Sequence, residues 1–256
     1  MPNFVWPFPE APGKLWNTGR GLTIVSIASI SKLILALNRL QIHGKERFLD
    51  VLENREKGRG LITISNHYCC ADDPMLWGML PWRHLTPKTC RWGMGAAEIC
   101  FSNERDARFF GLGKIVPIVR GDGIYQRGMQ FIMERLQDGD WCHIFPESRV
   151  NQEHQWLRLK WGVGRLISEA SITPLVLPFF HQGADYIQAN RPPFIPTIGK
   201  NFTILVGSVL DYRDKVLQMK ADGASLTDQR KELTDDLQAV LKDLRYQCEE
   251  LHARRY

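Results

Sequence analysis

The stretch that decides the fold reads Leu61-Ile62-Thr63-Ile64-Ser65-Asn66-His67-Tyr68-Cys69-Cys70-Ala71-Asp72-Asp73-Pro74. Its first five residues form a short, mostly apolar run that is rich in β-branched side chains, which is typical of a buried strand. The remainder leaves the strand, crosses a short loop and enters a helix, because Pro74 fits a helix start, where its missing N–H costs nothing. A strand followed by a loop and a helix is the repeating unit of α/β proteins.

The same pattern recurs along the chain. Four further short runs are rich in β-formers and bounded by Gly, Pro or Asp, at 115–119, 141–145, 175–180 and 202–206. Apolar side chains at helical spacing separate them over 125–136 and 159–170. This alternation predicts an α/β fold in which a mixed, mostly parallel β-sheet is flanked by helices.

Both ends of the chain differ from this pattern. Gly21 to Leu40 is apolar, is interrupted by Lys32 and falls short of the roughly 20 apolar residues that span a bilayer, which favours a helix lying in one leaflet. An ordinary buried core helix is the alternative. The tail carries an apolar stripe among mixed charges, which predicts an amphipathic helix. We therefore expect an interfacial membrane anchor over residues 1–45, an α/β domain over 46–220, and a C-terminal amphipathic helix packed on that domain over 221–256.

Composition places the 256-residue chain among globular proteins, with 44% hydrophobic and 24% charged residues. The net charge of +5 suits an anionic partner without separating lipid from nucleic acid. The six cysteines include no C-x-x-C pair, so neither a disulfide framework nor a zinc cage is indicated. The start of the chain shows no secretory signal or transit peptide pattern.

His67 and Asp72 stand five residues apart in the turn between the first predicted strand and its helix. On a continuous helix they would point about 140° apart, whereas in a turn they can converge. The carboxylate would then bind one imidazole nitrogen and leave the other free to take a proton, as in a general base. Taken alone, the spacing favours the plainer interpretation of a helix-capping aspartate beside a surface histidine.

Three further segments change that interpretation. One strand ends in a cation, a second ends in a carboxylate and a cation, and a third lies between prolines, at 114–121, 145–149 and 173–178. With the His-x-x-x-x-Asp pair, their order and spacing resemble the four motifs of the glycerolipid acyltransferase family. The tryptophan-rich start and the segments 76–78, 91–92 and 158–167 are similar to one branch of that family, the CoA-independent transacylases.

This resemblance implies an enzyme of the mitochondrial membrane surface that exchanges acyl chains between phospholipid and lysophospholipid, including cardiolipin and monolysocardiolipin. One ester is exchanged for a near-equivalent ester, so no activated donor is required and no cofactor is expected. His67 would deprotonate the lysolipid hydroxyl and Asp72 would orient the imidazole. No metal site and no nucleic-acid partner are expected.

The family motifs, carried over position by position, assign substrate binding to Arg120, Glu147, Ser148, Arg149 and Lys160. Arg120 matches a phosphate-holding arginine, whose guanidinium fork can grip phosphate bidentately. Glu147 is expected to orient the glycerol hydroxyl or the basic cluster. Ser148 stands where the family usually has glycine, so its Cβ occupies space that a close backbone approach would need.

Three other functions stay open on the sequence alone. An acyl-CoA-dependent lysophospholipid acyltransferase would use the same histidine and aspartate. A metal-dependent hydrolase would combine His67, Asp72 and Asp73 with another histidine among 84, 143, 154 and 181. A non-enzymatic lipid-binding protein would use the pair structurally. No Gly-x-Ser-x-Gly occurs, which argues against a common serine lipase.

Overall fold

A computed structural model describes residues 4–254. The strands are β1 (Arg39–His43), β2 (Leu61–Ile64), β3 (Gly93–Ala96), β4 (Ile115–Ile118), β5 (Trp141–Ile144), β6 (Leu175–Gln182), β7 (Asn201–Val206) and β8 (Leu210–Asp211). The helices are α1 (Lys14–Ala36), α2 (Lys45–Asn54), α3 (Asp72–Trp77), α4 (Ala97–Cys100), α5 (Glu104–Leu112), α6 (Arg127–Gln137), α7 (Gly162–Ser168), α8 (Ala184–Ile187), α9 (Arg213–Ala221) and α10 (Leu226–Ala253).

The main sheet has the order β1-β7-β6-β2-β5, with β8 beside β6, and β3 and β4 form a second small sheet. β2 runs parallel to β5 and β6, and β3 runs parallel to β4. A parallel bridge from Trp92 to Cys142 joins the small sheet to β5. The carboxyl ends of β2 to β6 therefore meet at one edge, and the predicted mixed, mostly parallel sheet flanked by helices is confirmed.

Three strands have no clear signal in the sequence. β3 is half glycine, and the reason is steric: a Cβ at Gly95 would lie 2.8 Å from Ile115 Cγ2 of the paired strand. β1 begins inside the apolar block, at Arg39, and is ordered by parallel pairing with β7. The segment 1–45 that we assigned to an anchor thus contains a strand of the main sheet, and residues 1–3 of it lie outside the described part of the chain. β8 is two residues long.

The C-terminal helix α10 lies against α7, β6 and β7. It buries Leu233, Leu237, Leu241 and Leu244 in the same core as α6 and α7. A Cβ at Gly164 would lie 2.4 Å from the carbonyl oxygen of Arg230, so the two helix backbones touch there. This packing holds the segment after β5 in place beside the carboxyl edge of the sheet.

Helix α1 has two apolar faces. Ile24, Ala28, Ser31 and Leu35 are buried against the domain. Leu15, Leu22, Leu33 and Leu37 are exposed and fall within about 60° of one another on the opposite side of the helical wheel. Of the described residues, only α1 is long and apolar enough to cross a membrane, and just 22% of its apolar window is buried. That exposure argues against an ordinary core helix and indicates membrane association.

Candidate active site

The chemically notable side chains follow β2 and β5, which are adjacent parallel strands. His67 stands three residues after the end of β2, and Glu147 stands three residues after the end of β5. Loops at the carboxyl edge of a parallel sheet are where α/β proteins place their binding sites. The two strands thus bring together residues that are 80 positions apart in the chain.

The predicted pair is formed. His67 Nδ1 lies 3.0 Å from Asp72 Oδ2, and the loop between them curls so that Asp72 opens helix α3. Asp72 is fully buried, and the same oxygen accepts hydrogen bonds from the backbone N–H groups of Tyr68, at 2.8 Å, and Cys69, at 2.9 Å. An acceptor on Nδ1 selects the tautomer that carries its proton there. Nε2 is left unprotonated, with no hydrogen-bond partner in the described chain.

The peptide of His67 is held from both sides. Its N–H donates to Glu147 Oε1 at 3.1 Å, and its carbonyl accepts from the Asn151 N–H at 2.6 Å. The imidazole stacks on Phe145 with 4.0 Å between ring centroids. The side chain is nevertheless 17% exposed. The geometry therefore fixes the ring while keeping it accessible from outside.

Glu147 is buried, and burial raises the pKa of its carboxyl. One oxygen binds the His67 N–H, and Oε2 has no partner within residues 4–254. A cavity of about 20 Å³ beside it is lined by Asn66, Tyr68, Asn151 and other side chains, which is room for one water. Glu147 thus contacts the loop between β2 and α3, residues 65–71, which we call the histidine loop. The sequence motifs did not specify this position.

Ser148 adopts the backbone conformation for which the family uses glycine, with φ at +62°. Its N–H donates to the Phe145 carbonyl at 3.0 Å and closes a tight turn. That N–H is occupied inside the turn and is not a free donor for an oxyanion. The serine therefore keeps the turn geometry at the cost of backbone strain.

The three basic residues predicted to bind substrate lie in the segments that follow β4 and β5. Arg120 follows β4, is half exposed and pairs with Glu98 Oε1 at 3.1 Å. β4 is three strand positions from β2, which separates the two strands by about 14 Å at a spacing of about 4.8 Å. Arg149 and Lys160 are exposed, and the Lys160 N–H donates to the Pro146 carbonyl at 2.9 Å. Within residues 4–254, none of the three cations has a recorded contact with His67, so their role at the site stays a prediction.

The two cysteines of the histidine loop differ in accessibility. Cys69 is fully buried, and its thiol donates to the Gln188 carbonyl at 3.2 Å. Its pKa is raised by the hydrogen bond it shares with Cys70 and by burial. Cys70 is exposed, and the same hydrogen bond lowers the pKa of its thiol. A cysteine acyl-enzyme at Cys69 is therefore disfavoured.

Two buried histidines, His143 and His181, lie behind the His67–Asp72 pair, and no sequence motif predicted their positions. His181 Nε2 lies 3.6 Å from Asp72 Oδ2 and 3.0 Å from the Asn66 carbonyl. The Asn66 side chain binds both backbone groups of His181, which ties β2 to β6. His143 Nδ1 contacts Thr63 Oγ1 at 2.8 Å. Burial lowers the pKa of both histidines, so both are neutral near pH 7.

The other residues considered as metal ligands are dispersed. His84 pairs with Glu53 at the opposite edge of the sheet, and His154 lies 3.3 Å from Asp185. Asp73 is held by Arg91 and by the Trp77 indole N–H. Within residues 4–254, no group of three or more His, Cys, Asp or Glu side chains is placed to hold a metal ion.

Comparison with solved structures supports the architecture. The lysophosphatidic acid acyltransferase of Thermotoga maritima superposes with a TM-score of 0.58, over 88% of this chain and 81% of that one. At 17% sequence identity, this similarity concerns the fold.

Sequence comparison identifies the family. The model of the Acyltransferase family matches residues 39–182, which hold all four motifs. The tafazzin of Drosophila melanogaster is 39% identical over 99% of this chain and 68% of its own length. An N-acylphosphatidylethanolamine synthase of Arabidopsis thaliana is 35% identical over 75% of this chain and 71% of its own length. The resemblance found in the motifs is confirmed: the chain is an acyltransferase that belongs to the Acyltransferase family and, within it, to the tafazzins.

Proposed function

We propose that this enzyme is a CoA-independent phospholipid–lysophospholipid transacylase that remodels cardiolipin. The observation that carries the proposal is the imidazole of His67, held through Nδ1 by a buried carboxylate with Nε2 free and accessible. Family resemblance supports the type of reaction, since tafazzins exchange acyl chains between glycerolipids. The exchange of one ester for another needs no activated donor.

In the proposed mechanism, Nε2 of His67 takes the proton of the lysophospholipid hydroxyl as that oxygen attacks the ester carbonyl of the donor. The tetrahedral intermediate collapses, and the imidazolium returns the proton to the leaving alkoxide of the donor glycerol. Asp72 stabilises the imidazolium and keeps the ring in its productive tautomer. Positioned acid–base catalysis of this kind contributes about 10² to 10⁴ in rate.

Glu147 acts in this mechanism by positioning. Its carboxylate accepts a hydrogen bond from the His67 N–H, and the neighbouring Asn151 N–H donates to the His67 carbonyl. The segment after β5 therefore fixes the backbone of His67 and with it the position of the imidazole. The predicted contact of Glu147 with the glycerol hydroxyl remains a proposal.

The cations are proposed to bind lipid phosphate. The ion pair of Arg120 with Glu98 is exposed, and exposed pairs stabilise a protein by at most about 1 kcal/mol. A lipid phosphodiester, which carries one negative charge and two acceptor oxygens, can therefore replace Glu98 at the guanidinium without a large cost. The segment after β5 adds the positive charge of Arg149 and Lys160, which suits a donor and an acceptor that both carry phosphate.

We further propose monotopic attachment to a mitochondrial membrane through the exposed face of α1. That face carries leucines and no charge, and Lys32 is turned inward to the carbonyls of Gly78 and Leu80. Alkaline carbonate extraction tests the attachment: the protein should stay with the membrane, and release alongside a soluble control would contradict it.

The decisive assay mixes purified protein with cardiolipin and a labelled lysophospholipid in the absence of CoA. Transfer of acyl chains to the lysophospholipid is expected, and His67→Ala should abolish it. A strict requirement for acyl-CoA would overturn the donor assignment and leave the same base in place. Because one relative is named for N-acylation of phosphatidylethanolamine, that lipid is the acceptor control. Amide formation faster than ester formation would overturn the acceptor assignment.

A further inference from the structure

The connection between α8 and β7 carries an unusual run of exposed residues. All ten residues of 191–200 are exposed, and we call this segment the apolar loop. Phe194, Ile195 and Ile198 are 58%, 68% and 66% exposed. Arg191 and Lys200 flank them, and the loop contains no acidic residue. Large apolar side chains clustered in water mark a contact surface when they are contiguous.

The apolar loop continues the exposed face of α1. Its Gly199 N–H donates to the carbonyl of Leu37 at 2.9 Å. Asn38 closes the junction, because its side chain donates to the Thr197 carbonyl and accepts from the Lys200 N–H at 2.8 Å. Exposed Leu37 and exposed Ile198 therefore flank one hydrogen bond, and the two apolar surfaces meet.

The other end of the apolar loop is attached to the histidine loop. Asn190, the residue before it, accepts the Cys70 N–H and donates to the Tyr68 carbonyl, both at 2.7 Å. The Gln188 carbonyl accepts the Cys69 thiol at 3.2 Å. The three residues that follow His67 are thus bonded to the base of an exposed apolar segment.

From this arrangement we propose that the apolar loop is a second membrane contact, which inserts into an anionic bilayer and sets the histidine loop at the lipid surface. The occupant is a bilayer because the apolar tip lies between two cations with no acid and is continuous with the outer face of α1. α1 provides attachment. The apolar loop provides orientation, since it is bonded to the segment between His67 and Asp72.

The test is vesicle partition of the full chain, measured by sedimentation with phosphatidylglycerol and with phosphatidylcholine vesicles. Ile195→Asp combined with Ile198→Asp should lower partition about tenfold per position, because an apolar side chain is replaced by a charge at each. Arg191→Gln and Lys200→Gln should each lower the preference for phosphatidylglycerol about fivefold. The milder Ile195→Ser adds no charge and should lower partition less than Ile195→Asp does, about threefold.

Leu217→Asp is the matched control, since Leu217 is 60% exposed on α9, away from the apolar loop. It should leave partition within twofold. The proposal is overturned if the double variant binds vesicles as the unmodified protein does, or if Leu217→Asp weakens binding equally. It is also overturned if sedimentation velocity shows that the double variant loses a dimer while vesicle binding is unchanged, because the occupant would then be a second copy of this chain.

A second measurement separates membrane contact from distortion of the active site. With short-chain substrates dispersed as monomers, the double variant should keep its turnover, whereas turnover on vesicles should fall in step with binding. Equal loss on both substrates would show that the apolar loop acts by supporting the fold, which contradicts the proposal. Binding is measured without turnover, and His67→Ala should bind vesicles normally, so failure here is distinguishable from failure of the transacylase assignment.

Discussion

Two histidine–carboxylate pairs of nearly equal length lie at opposite edges of the sheet. His67 Nδ1 is 3.0 Å from Asp72, and His84 Nε2 is 2.9 Å from Glu53. Asp72 is fully buried, and its other recorded donors are backbone N–H groups. Glu53 is 37% exposed and shares one oxygen with Arg83. Distance alone therefore does not distinguish a general base from an ordinary surface cluster.

The second pair also differs from the first in its surroundings. His84 and Glu53 line a cavity of about 490 Å³ at the amino end of β5, far larger than the space beside Glu147. The hydrogen bond from Arg83 lowers the pKa of Glu53, so its charge already has a strong partner. Within residues 4–254, no guanidinium is among the recorded partners of Asp72, which are two imidazoles and two backbone N–H groups. The competing guanidinium is the decisive difference.

The largest effect should separate the two histidines. His67→Ala removes the proposed base and should lower the rate of acyl transfer by about 10³, within the range for a positioned general base. His84→Ala should leave that rate within twofold. Initial rates with labelled lysophospholipid measure both, and unchanged vesicle binding shows that the variants are folded. An equal loss in the two variants would remove the distinction drawn here.

The carboxylates should differ as well, by a somewhat smaller factor. In Asp72→Asn the amide oxygen can take the place of Oδ2 and accept the same three hydrogen bonds, so the variant keeps the tautomer of His67 and loses the negative charge that stabilises the imidazolium. We expect a loss of about 10² in kcat. Glu53→Gln should have no effect on kcat. Nitrogen-15 NMR of His67 checks the cause, and a changed tautomer in Asp72→Asn would contradict it.

Buried neutral histidines behind the first pair predict sensitivity to acid. His143 and His181 have folded-state pKa values below the usual 6.5, so the unfolded chain binds more protons as the pH falls below that value. Stability should therefore be retained above pH 6.5 and fall below it, by about 3 kcal/mol for two groups at pH 5.5. Urea unfolding at pH 7.5 and 5.5 measures this. His143→Gln should halve the difference, and an unchanged difference would show that His143 does not contribute.

The smallest effect concerns the turn that holds His67. Ser148 has φ at +62°. Glycine in this conformation avoids a steric cost of about 1–2 kcal/mol, but its larger conformational entropy in the unfolded chain offsets part of that gain in stability. Ser148→Gly should stabilise the protein by about 0.5–1 kcal/mol and raise Tm by about 2 °C. Ser148→Ala keeps the Cβ and should give no gain in the same thermal scan. A gain in the alanine variant would mean that the hydroxyl, not the backbone, causes the strain.

Much of the fold is predictable because its strands are short apolar runs between turn residues. The five predicted strands coincide with β2, β4, β5, β6 and β7, with ends displaced by at most two residues. Helices α6 and α10 follow the predicted stripes closely, since both bury one face. β3 could not be predicted, because its glycines are selected by the approach of Ile115 from the paired strand. That requirement is visible only when the two strands are side by side.

The site divides in the same way. His67 and Asp72 are near neighbours in the chain, and a turn between them allows their side chains to meet. The spacing alone favoured a helix-capping aspartate, and the other three motifs were needed to predict the pair. His181 and Asn190 meet that turn from other elements, His181 through the side chain of Asn66, and no local pattern marks them.

Local sequence determines where the chain is apolar, where it turns and which residue types stand at strand ends, because those preferences act over a few residues. Tertiary structure alone decides which carboxylate is buried without a competing cation, which glycine faces a neighbouring strand, and which apolar segment stays in water. These outcomes depend on desolvation and packing by elements that are 20 or more residues apart, and such terms do not exist until the sheet is assembled.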